Sequence, residues 1–586
     1  MINETVISPA EQASARCLQQ VFEAMAANKN FLVEAGAGAG KTYTLIKALR
    51  KQIDENAKKF LRMQRRIACI TYTNIAKDEI RSRTDNHPAV FAETIHAFAW
   101  DAIRDFQKIL RSQIHTLSDR WPERIAEAGG VTNQEVIYNL GYPKITDQEI
   151  FLHHDDVIKL LIYLLDDLKF QQILTSRYPV IFIDEYQDTN TDLANALLRN
   201  FIVPEKGPLI GFFGDHWQKI YGSRSIGLIQ ADADKLVVIG KEANFRSDRI
   251  IVDVLNNMRP ELPQQYKDPG SVGEIIVYHS NEWTGQRRTG GHWAGDLPAD
   301  VAHEYLNAVI NDLKAKGWVF EKNTTKVLML TNAVLAEEQG YSNLIAALGP
   351  DDLLEKQDDY ISFLIDTIEP GIAAFIEGKY GKMIDAFGLQ SPAISAHSKK
   401  IEWHEKIGRL EGLCREGTIG DVIDLLKETR KPPLPRRIEE KEIKLADLLA
   451  KPPEDRDEAE TNFVEKYTSL RAVLYAEVSR AADFINDLTP FSTKHGVKGA
   501  QFDNVLVVLG RGWNHYNWKQ MLEWAHAGIP AGKQDSFERN RNLFYVTCSR
   551  PKHRLALLFT QDLSNVAIEQ LTAWFGNVLI PFNLPE

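Results

Sequence analysis

The sequence predicts an α/β fold in which parallel strands lie between layers of helices. Two observations lead to that prediction. Short apolar runs rich in Val, Ile and Phe alternate with longer stretches of helical periodicity, and the alternation occurs near both ends of the chain. Continuous apolar runs bounded by helices are typical of strands covered on both faces. The predicted strands are Phe31–Glu34, Ile67–Thr71, Val180–Asp184, Leu209–Gly214, Leu236–Ile239, Glu274–Tyr278, Lys326–Leu330, Val505–Leu509 and Arg554–Phe559.

Two stretches with little strand signal divide the chain. Residues 100–174 and 349–487 show helical periodicity, and the second stretch contains the Pro-rich connectors Arg430–Arg437 and Lys451–Asp455. Such breakers predict solvated turns. We therefore expect two parallel-sheet lobes, each interrupted by a mostly helical insertion. The expected segments are 1–99 and 175–232 for the first lobe, 233–348 and 488–586 for the second lobe, and 100–174 and 349–487 for the insertions.

The composition is that of an ordinary globular protein. Of the 586 residues, 44% are hydrophobic and 25% are charged, and no apolar run is long enough for a membrane-spanning helix. The four cysteines show no paired spacing, which excludes a disulfide scaffold or a Cys-rich zinc site and favours the reducing cytoplasm. No secretory signal is visible at the N-terminus. A net charge of −11 argues against nucleic-acid binding by bulk charge, but it does not exclude a local basic groove.

The first chemical motif is a glycine-rich loop between a predicted strand and a predicted helix. This order is the context that a phosphate-binding loop requires. Lys41 would reach the β- and γ-phosphates of ATP, and the Thr42 hydroxyl would ligate Mg²⁺. A structural glycine-rich turn is the alternative, and the Gly-Lys-Thr ending disfavours it. Backbone N–H groups around the phosphates would come from Ala35, Gly36, Ala37, Gly38, Ala39 and Gly40.

The second motif is the pair of carboxylates at the end of the Val180–Asp184 run. Asp184 would hold Mg²⁺ through water, and Glu185 would polarise the attacking water. Taken alone, the pair is equally compatible with a helix cap followed by a solvated glutamate. Together with the phosphate loop, it predicts hydrolysis of a nucleoside triphosphate.

Further segments narrow the substrate. They are Thr71–Asn74, Thr94–Phe98, Glu185–Asn190, Gly214–Tyr221, Asn244–Ser247, Thr493–Phe502 and Leu543–Arg550. In this order the set resembles the UvrD/PcrA/Rep group of superfamily-1A DNA helicases. The resemblance covers residues 1 to about 260 and about 490 to 560. It implies two RecA-like lobes and an ATP- and Mg²⁺-dependent DNA helicase or translocase that moves 3′→5′ on single-stranded or partly duplex DNA.

The resemblance also implies roles for individual residues. The catalytic set would be Lys41, Glu185, Gln218, Arg246 and Arg550, with Gln218 as the γ-phosphate sensor and the arginines neutralising charge in the transition state. At the nucleotide, Gln12 would read the adenine, Phe245 would stack on it, and Tyr43 would follow the phosphate loop. Contacts to single-stranded DNA would come from Tyr72, Asn74, His96, Tyr221, Thr493 and His495, since flat side chains suit sequence-independent stacking.

Several positions depart from the family pattern. Tyr43 stands where the family has arginine, Ser223 where it has a base-stacking aromatic residue, and Gln501 where it has a carboxylate near the nucleotide. Stacking and ribose contacts belong to the stepping cycle, so these departures argue against strong unwinding. They leave the hydrolytic residues in place.

Several of these residues also have structural alternatives. Arg246 and Arg550 could form surface ion pairs, and Tyr72 and Tyr221 could be core aromatics. Gln12 could be a solvated helix residue. The run His153–Asp156 resembles a metal cluster but is better explained as a helix cap, and Trp513–Trp518 is better explained as a structural loop.

Two functions from different classes follow from these motifs. The leading interpretation is an ATP-dependent DNA helicase or translocase, acting in anti-phage defence or repair. The alternative is a regulatory, helicase-like, DNA-sensing ATPase subunit of a nuclease complex with little unwinding of its own. Through Gly499–Gly512 and Phe537–Gln561, the chain resembles the helicase-like component of Gabija-type anti-phage systems, which implies a nuclease partner. The intact motif set disfavours a degenerate structural protein, and no nuclease motif stands out.

Overall fold

The computed structural model describes residues 7–139, 142–220, 224–230, 232, 234–389, 397–494, 496–510 and 515–584. The chain divides into two compact units. The first comprises Met1–Ile276, His515–Leu555 and Ser564–Leu579, and the second comprises Val277–Asn514, Ala556–Leu563 and Ile580–Glu586.

Helices and strands alternate along most of the chain. The strands are β1 (Phe31–Ala35), β2 (Ile67–Thr71), β3 (Val90–Thr94), β4 (Glu135–Tyr138), β5 (Lys144–Ile145), β6 (Glu149–Leu152), β7 (Val180–Asp184), β8 (Leu209–Gly214), β9 (Val237–Lys241), β10 (Ala243–Asn244), β11 (Gln265–Tyr266), β12 (Glu274–His279), β13 (Thr325–Met329), β14 (Phe491–Thr493), β15 (Phe502–Leu509), β16 (Pro551–Phe559) and β17 (Leu579–Pro581).

The α-helices are α1 (Pro9–Ala26), α2 (Lys41–Arg62), α3 (Asn74–Arg83), α4 (Ile95–Ile103), α5 (Gln107–Gln113), α6 (Arg120–Glu127), α7 (His154–Leu165), α8 (Leu168–Arg177), α9 (Thr191–Leu197), α10 (Arg249–Met258), α11 (Ala299–Ala315), α12 (Asn332–Gln339), α13 (Ser342–Leu348), α14 (Pro350–Leu354), α15 (Asp359–Phe363), α16 (Glu369–Ile376), α17 (Tyr380–Ala386), α18 (His397–Glu416), α19 (Ile419–Thr429), α20 (Arg436–Ala450), α21 (Glu458–Ala472), α22 (Tyr475–Ile485), α23 (Trp518–Ala527), α24 (Gln534–Cys548) and α25 (Asn565–Phe575).

The first six-stranded sheet has the order β3-β2-β7-β8-β1-β9, and each neighbouring pair is parallel. Every residue of β1, β2, β7 and β8 is buried, which explains their unbroken apolar sequences. Because the strands run in one direction, their carboxyl ends meet at one edge of the sheet, where parallel sheets usually bind ligands. The segments that follow β1, β7 and β8 therefore lie together.

The second six-stranded sheet has the order β14-β13-β15-β16-β12-β17. Its β13 pairs in parallel with β14 on one side and with β15 on the other. Val505, Leu506 and Val507 of β15 are fully buried, so this sheet also carries a strand covered on both faces.

The two insertions differ in construction. The first contains helices and a three-stranded sheet of order β4-β6-β5, and its Trp121, Val136 and Ile150 belong to the same core as Leu32 of β1. The second runs through helices α14 to α22 and forms a core of its own around residues such as Tyr360 and Leu410. The first insertion thus extends the core of the first sheet, whereas the second has a core formed mainly by its own helices.

The structure confirms the fold class: two RecA-like parallel-sheet lobes, each interrupted by a mostly helical insertion. The sequence prediction omitted the small sheet of the first insertion, whose strands are only two to four residues long. It also omitted β3, an edge strand in which only Ala92 is fully covered. Residues 233–276, which the sequence analysis assigned to the second lobe, fall in the first compact unit. The predicted limits of the segments remain a prediction. Among the described residues, no helix is long and apolar enough to span a membrane.

Candidate nucleotide-hydrolysis site

The glycine-rich loop connects β1 to α2 in the first unit. Gly38 and Gly40 both adopt a φ of +75°, in the left-handed region that glycine tolerates and most side chains do not. A Cβ atom on Gly38 would lie 2.9 Å from the Asn244 Oδ1 atom and 2.9 Å from the Arg246 Cβ atom. Alternating glycines therefore allow both the loop conformation and its close approach to the Asn244–Ser247 segment.

Two buried side-chain amides, those of Asn244 and Gln264, bind the backbone of the loop. The Asn244 side chain donates to the Ala37 carbonyl at 3.2 Å, and Gln264 donates to the same carbonyl at 3.0 Å. The backbone N–H of Phe245 donates to the Gly38 carbonyl at 2.9 Å. Because these bonds hold the loop carbonyls, the loop is fixed in position before any ligand is bound.

Lys41 is the first residue of α2 and lies among acidic side chains. Its ammonium group lies 2.5 Å from the Glu185 carboxylate and 3.7 Å from Asp184. Burial acts to lower the pKa of Lys41, but Glu185 and Asp184 outweigh that effect and hold it above its ordinary value. The lysine is therefore charged and stands between the loop and the two carboxylates.

Asp184 supplies the test of whether a cation fits here. Burial, opposed by Lys41, raises the pKa of Asp184 to about 6. Its Oδ1 atom is buried and accepts no hydrogen bond from the described residues. A buried carboxylate oxygen without a donor suits a water-coordinated Mg²⁺. Thr42, half-buried in the first turn of α2, would supply the second ligand.

Glu185 differs from Asp184 in its backbone conformation. It adopts a left-handed φ of 50°, which is uncommon for a residue with a side chain. Gln187 donates to the Glu185 carboxylate at 2.6 Å. Strained backbone that is fixed by a neighbour is frequent at functional sites.

Gln218 and the two predicted arginines also lie in the first unit. Gln218 donates to Asp215 at 2.8 Å and accepts from Arg550 at 3.3 Å. Arg246 donates to the Ser549 carbonyl at 2.8 Å. Burial lowers the pKa of Arg550 to about 9 and that of Arg246 to about 10. Arg550 is 1% exposed, so it is a buried residue and not part of a surface salt bridge.

A buried charge network that the sequence analysis missed lies beside this site. The Arg259 guanidinium donates to Glu34 at 2.6 Å and to Asp215 at 2.6 Å, and His216 lies 2.7 Å from Glu34. Burial alone would raise the pKa of Glu34, but His216 and Arg259 lower it to about 2. Glu34, Asp215 and His216 are close enough to hold a metal ion, yet the guanidinium already supplies their positive charge. One signal was available: Glu34 is a charged residue inside an apolar strand.

Of the residues predicted to contact adenine, Phe245 lies beside the loop. Phe245 is half-buried, and its ring lies 3.6 Å from where a Cβ atom of Gly40 would be. Gln12 is exposed on α1 and donates to the Ile7 carbonyl at 3.1 Å. Tyr43 is 50% exposed, with the Lys47 ammonium 5.4 Å from its ring centre. An aromatic ring beside the loop is compatible with adenine stacking.

The predicted DNA contacts are spread over both units. Tyr72 packs partly against the first-lobe core, and Asn74 is exposed at the start of α3. The His96 ring lies 5.0 Å from that of His154, and burial and His154 lower its pKa. Thr493, at the end of β14 in the second unit, is half-buried. The described residues do not include Tyr221 or His495. They also do not include Ser223, which stands where the family has a base-stacking aromatic residue.

The structure also describes all or part of two runs to which the sequence analysis gave a structural role, His153–Asp156 and Trp513–Trp518. His153 is the N-cap of α7, with Asp156 completing a reciprocal capping pair, so this run caps a helix as expected. In the run from Trp513 to Trp518, residues 513 and 514 lie outside the described part of the chain. Tyr516 and Trp518 are buried and stacked, which supports a structural loop.

Residues 19–224 match the family model described as an AAA domain. The chain is 23% identical to Gabija protein GajB of Bacillus cereus strain HuB5-5, over 98% of this chain and 99% of that protein. A second Gabija protein GajB, from strain VD045, is 28% identical over 42% of this chain and 50% of that protein. The crystal structure of Pif1 helicase from Candida albicans gives a TM-score of 0.27 at 14% identity, covering 56% of this chain and 52% of that one.

The match to the AAA domain contains the phosphate loop and the Asp184–Glu185 pair, and it ends before the second insertion. The part of the chain that holds the phosphate loop is therefore similar to an AAA domain, and the chain is similar over nearly its whole length to a Gabija protein GajB.

Proposed function

We propose that this chain is a DNA-dependent ATPase that moves 3′→5′ on single-stranded DNA and acts in Gabija-type anti-phage defence. The observation that supports hydrolysis most strongly is the arrangement of Lys41, Asp184 and Glu185 at the end of the phosphate loop. A bound ATP with Mg²⁺ would place its phosphates where these groups converge. The ammonium of Lys41 would bind the β- and γ-phosphates in place of Glu185.

The remaining steps fall to residues of this chain. Glu185, once released from Lys41, would accept a proton from the attacking water. Asp184 and Thr42 would hold Mg²⁺, which neutralises phosphate charge when bound. Arg246 and Arg550 would stabilise the charge that develops on the transferred phosphoryl group. Gln218 would report the presence of the γ-phosphate, because it contacts both Asp215 and Arg550.

The DNA-binding part of the proposal can be tested by an affinity measurement. We expect Tyr72→Leu to raise the Kd for a single-stranded oligonucleotide roughly 10-fold, since stacking of one base on an aromatic ring is worth about 1–3 kcal/mol. Leucine retains apolar volume against the core, so the melting temperature serves as a folding control. Fluorescence anisotropy at fixed salt measures the effect. The matched control is Tyr163→Leu on α7, an exposed tyrosine outside the predicted DNA contacts. Equal affinity of the Tyr72 variant and wild type would remove Tyr72 from the DNA site.

A second candidate function is supported by the relatives and by the charge. Both curated relatives are named Gabija proteins, and the chain has a net charge of −11. Affinity for a DNA backbone comes from phosphate neutralisation and counterion release, so an acidic surface holds duplex poorly. In this version the chain is a DNA-sensing ATPase subunit that works with a nuclease partner and unwinds little by itself.

The partner is expected to dock on the second insertion. Helix α20 exposes Ile443 and Leu449, which are 63% and 53% exposed, on a helical body with its own core. We expect the tagged chain to recover a nuclease from its host, identified by mass spectrometry and DNA cleavage, and Ile443→Asp with Leu449→Asp to lose it. Val272→Asp, at an 81% exposed position outside the insertion, should retain the nuclease. Recovery of the chain alone, with unwinding of long duplexes at physiological salt, would contradict a partner-dependent function.

A further inference from the structure

Arg259 follows the last residue of α10 and is 1% exposed, although arginine is rarely buried without a specific reason. Its two terminal nitrogens contact different carboxylates: one donates to Glu34 at 2.6 Å and the other to Asp215 at 2.6 Å. Glu34 lies in the strand that precedes the phosphate loop, and Asp215 follows β8, the neighbouring strand. The guanidinium thus bridges the ends of two adjacent strands of the nucleotide-binding sheet.

Asp215 is fully buried and extends this bridge toward the reacting groups. Its second carboxylate oxygen accepts from Gln218 at 2.8 Å, and Gln218 in turn accepts from Arg550 at 3.3 Å. On its other side, the Asp215 backbone N–H donates to Gln187 at 3.0 Å, and Gln187 donates to Glu185 at 2.6 Å. Asp215 is therefore one bonded neighbour away from both Glu185 and Arg550.

Two buried carboxylates at adjacent strand ends would repel each other without a cation between them. A guanidinium can serve both in fixed geometry, because its planar fork presents donors in two directions. A lysine carries the same charge but is a single point donor on a flexible stem, so it can satisfy one carboxylate well and the other poorly. The orientation of the Asp215 oxygen that accepts from Gln218 thus depends on the two-sided contact of the Arg259 guanidinium.

We propose that Arg259 is a positioning residue for ATP hydrolysis: by fixing Asp215 against Glu34, it sets the orientation of Gln218 and, through it, of Arg550. This inference rests on the proposed ATPase function. Arg259 touches no reacting atom and acts only through Asp215. Its loss should therefore slow the chemical step and leave nucleotide affinity, which depends on the phosphate loop, nearly unchanged.

The test is a double-mutant cycle on the full chain. Arg259→Lys should lower kcat for ATP at least 10-fold, with KM and the Kd for a non-hydrolysable ATP analogue within about 2-fold. In a Gln218→Ala background the same change should have little further effect, since residues that act as one unit are not additive. Arg249→Lys, at an exposed arginine in the first turn of the same helix, should leave kcat unchanged.

Each outcome decides between alternatives. Full kcat in Arg259→Lys, or additive losses with Gln218→Ala, would overturn the inference and leave the ATPase proposal standing. A loss of nucleotide affinity equal to the loss of kcat would indicate a purely structural role and would also overturn it. If Arg259→Lys does not fold, Glu34→Gln keeps the arginine and its bond to Asp215. It should show a smaller kcat loss that again vanishes in the Gln218→Ala background, and an additive loss would overturn the inference. A wild-type chain without turnover would remove the proposed function and this inference together.

Discussion

Glu185→Gln is expected to lower ATP turnover by about 10²–10⁴-fold, the usual contribution of a positioned general base. The amide retains the size of the carboxylate and can still accept from Gln187, which donates to it at 2.6 Å. Removing its negative charge also removes the ion pair with Lys41 at 2.5 Å, so the lysine is freer to meet phosphate. Nucleotide affinity should therefore be equal to or tighter than that of wild type.

Lys41→Ala should weaken nucleotide binding, whereas Glu185→Gln should slow the chemical step and leave binding intact. Lys41→Ala removes the cation and leaves Glu185 and Asp184 facing the incoming phosphates. Hydrogen bonds to charged groups are worth about 1.5–3 kcal/mol, so the Kd for an ATP analogue should rise roughly 10- to 100-fold. Calorimetric titration with a steady-state phosphate-release assay separates the two variants. Lys58→Ala, at an exposed lysine on the same helix, is the control. Normal turnover in either site variant would contradict the assignment of this site.

Arg550→Ala is the second large expected effect. An arginine that stabilises the transferred phosphoryl group contributes about 10³–10⁵ in kcat. Arg550 is 1% exposed and contacts Gln218, and burial lowers its pKa to about 9. We expect kcat to fall by at least 10³-fold, while the Kd for the nucleotide changes much less.

The control for this variant is Arg436→Ala, at an arginine with an 88% exposed side chain in an i,i+4 pair on α20, which should leave turnover unchanged. Surface pairs of that kind contribute little. Single-turnover measurement separates the chemical step from product release. If Arg550→Ala turns over at the wild-type rate, Arg550 is a buried structural residue and not part of the reaction.

The fold and the residues of the loop could be predicted because they follow from local rules. Parallel strands buried on both faces give apolar runs, and the Gly-Lys-Thr ending between a strand and a helix has one common use. The same rules explain what was missed. β3 is an edge strand with a single fully covered residue, and the strands of the first insertion are too short to show a period.

The Arg259 network could not be predicted, because Arg259 lies 225 positions from Glu34 and 44 positions from Asp215 in the sequence. No local pattern connects Glu34 with Arg259. Only the order of the sheet, which places β1 beside β8, brings Glu34 next to Asp215. The charged residue within an apolar strand was a partial signal, since a buried carboxylate needs a partner. The sequence did not indicate which arginine supplies it.

ATP turnover by the purified chain and by its Glu185→Gln variant, measured with and without single-stranded DNA, tests the central claim most directly. We expect turnover that depends on Mg²⁺, rises when single-stranded DNA is added and is lower by about 10²-fold or more in the Glu185 variant. Turnover that DNA leaves unchanged would contradict the coupling of hydrolysis to DNA. Turnover at the wild-type rate in the Glu185 variant would contradict the site itself.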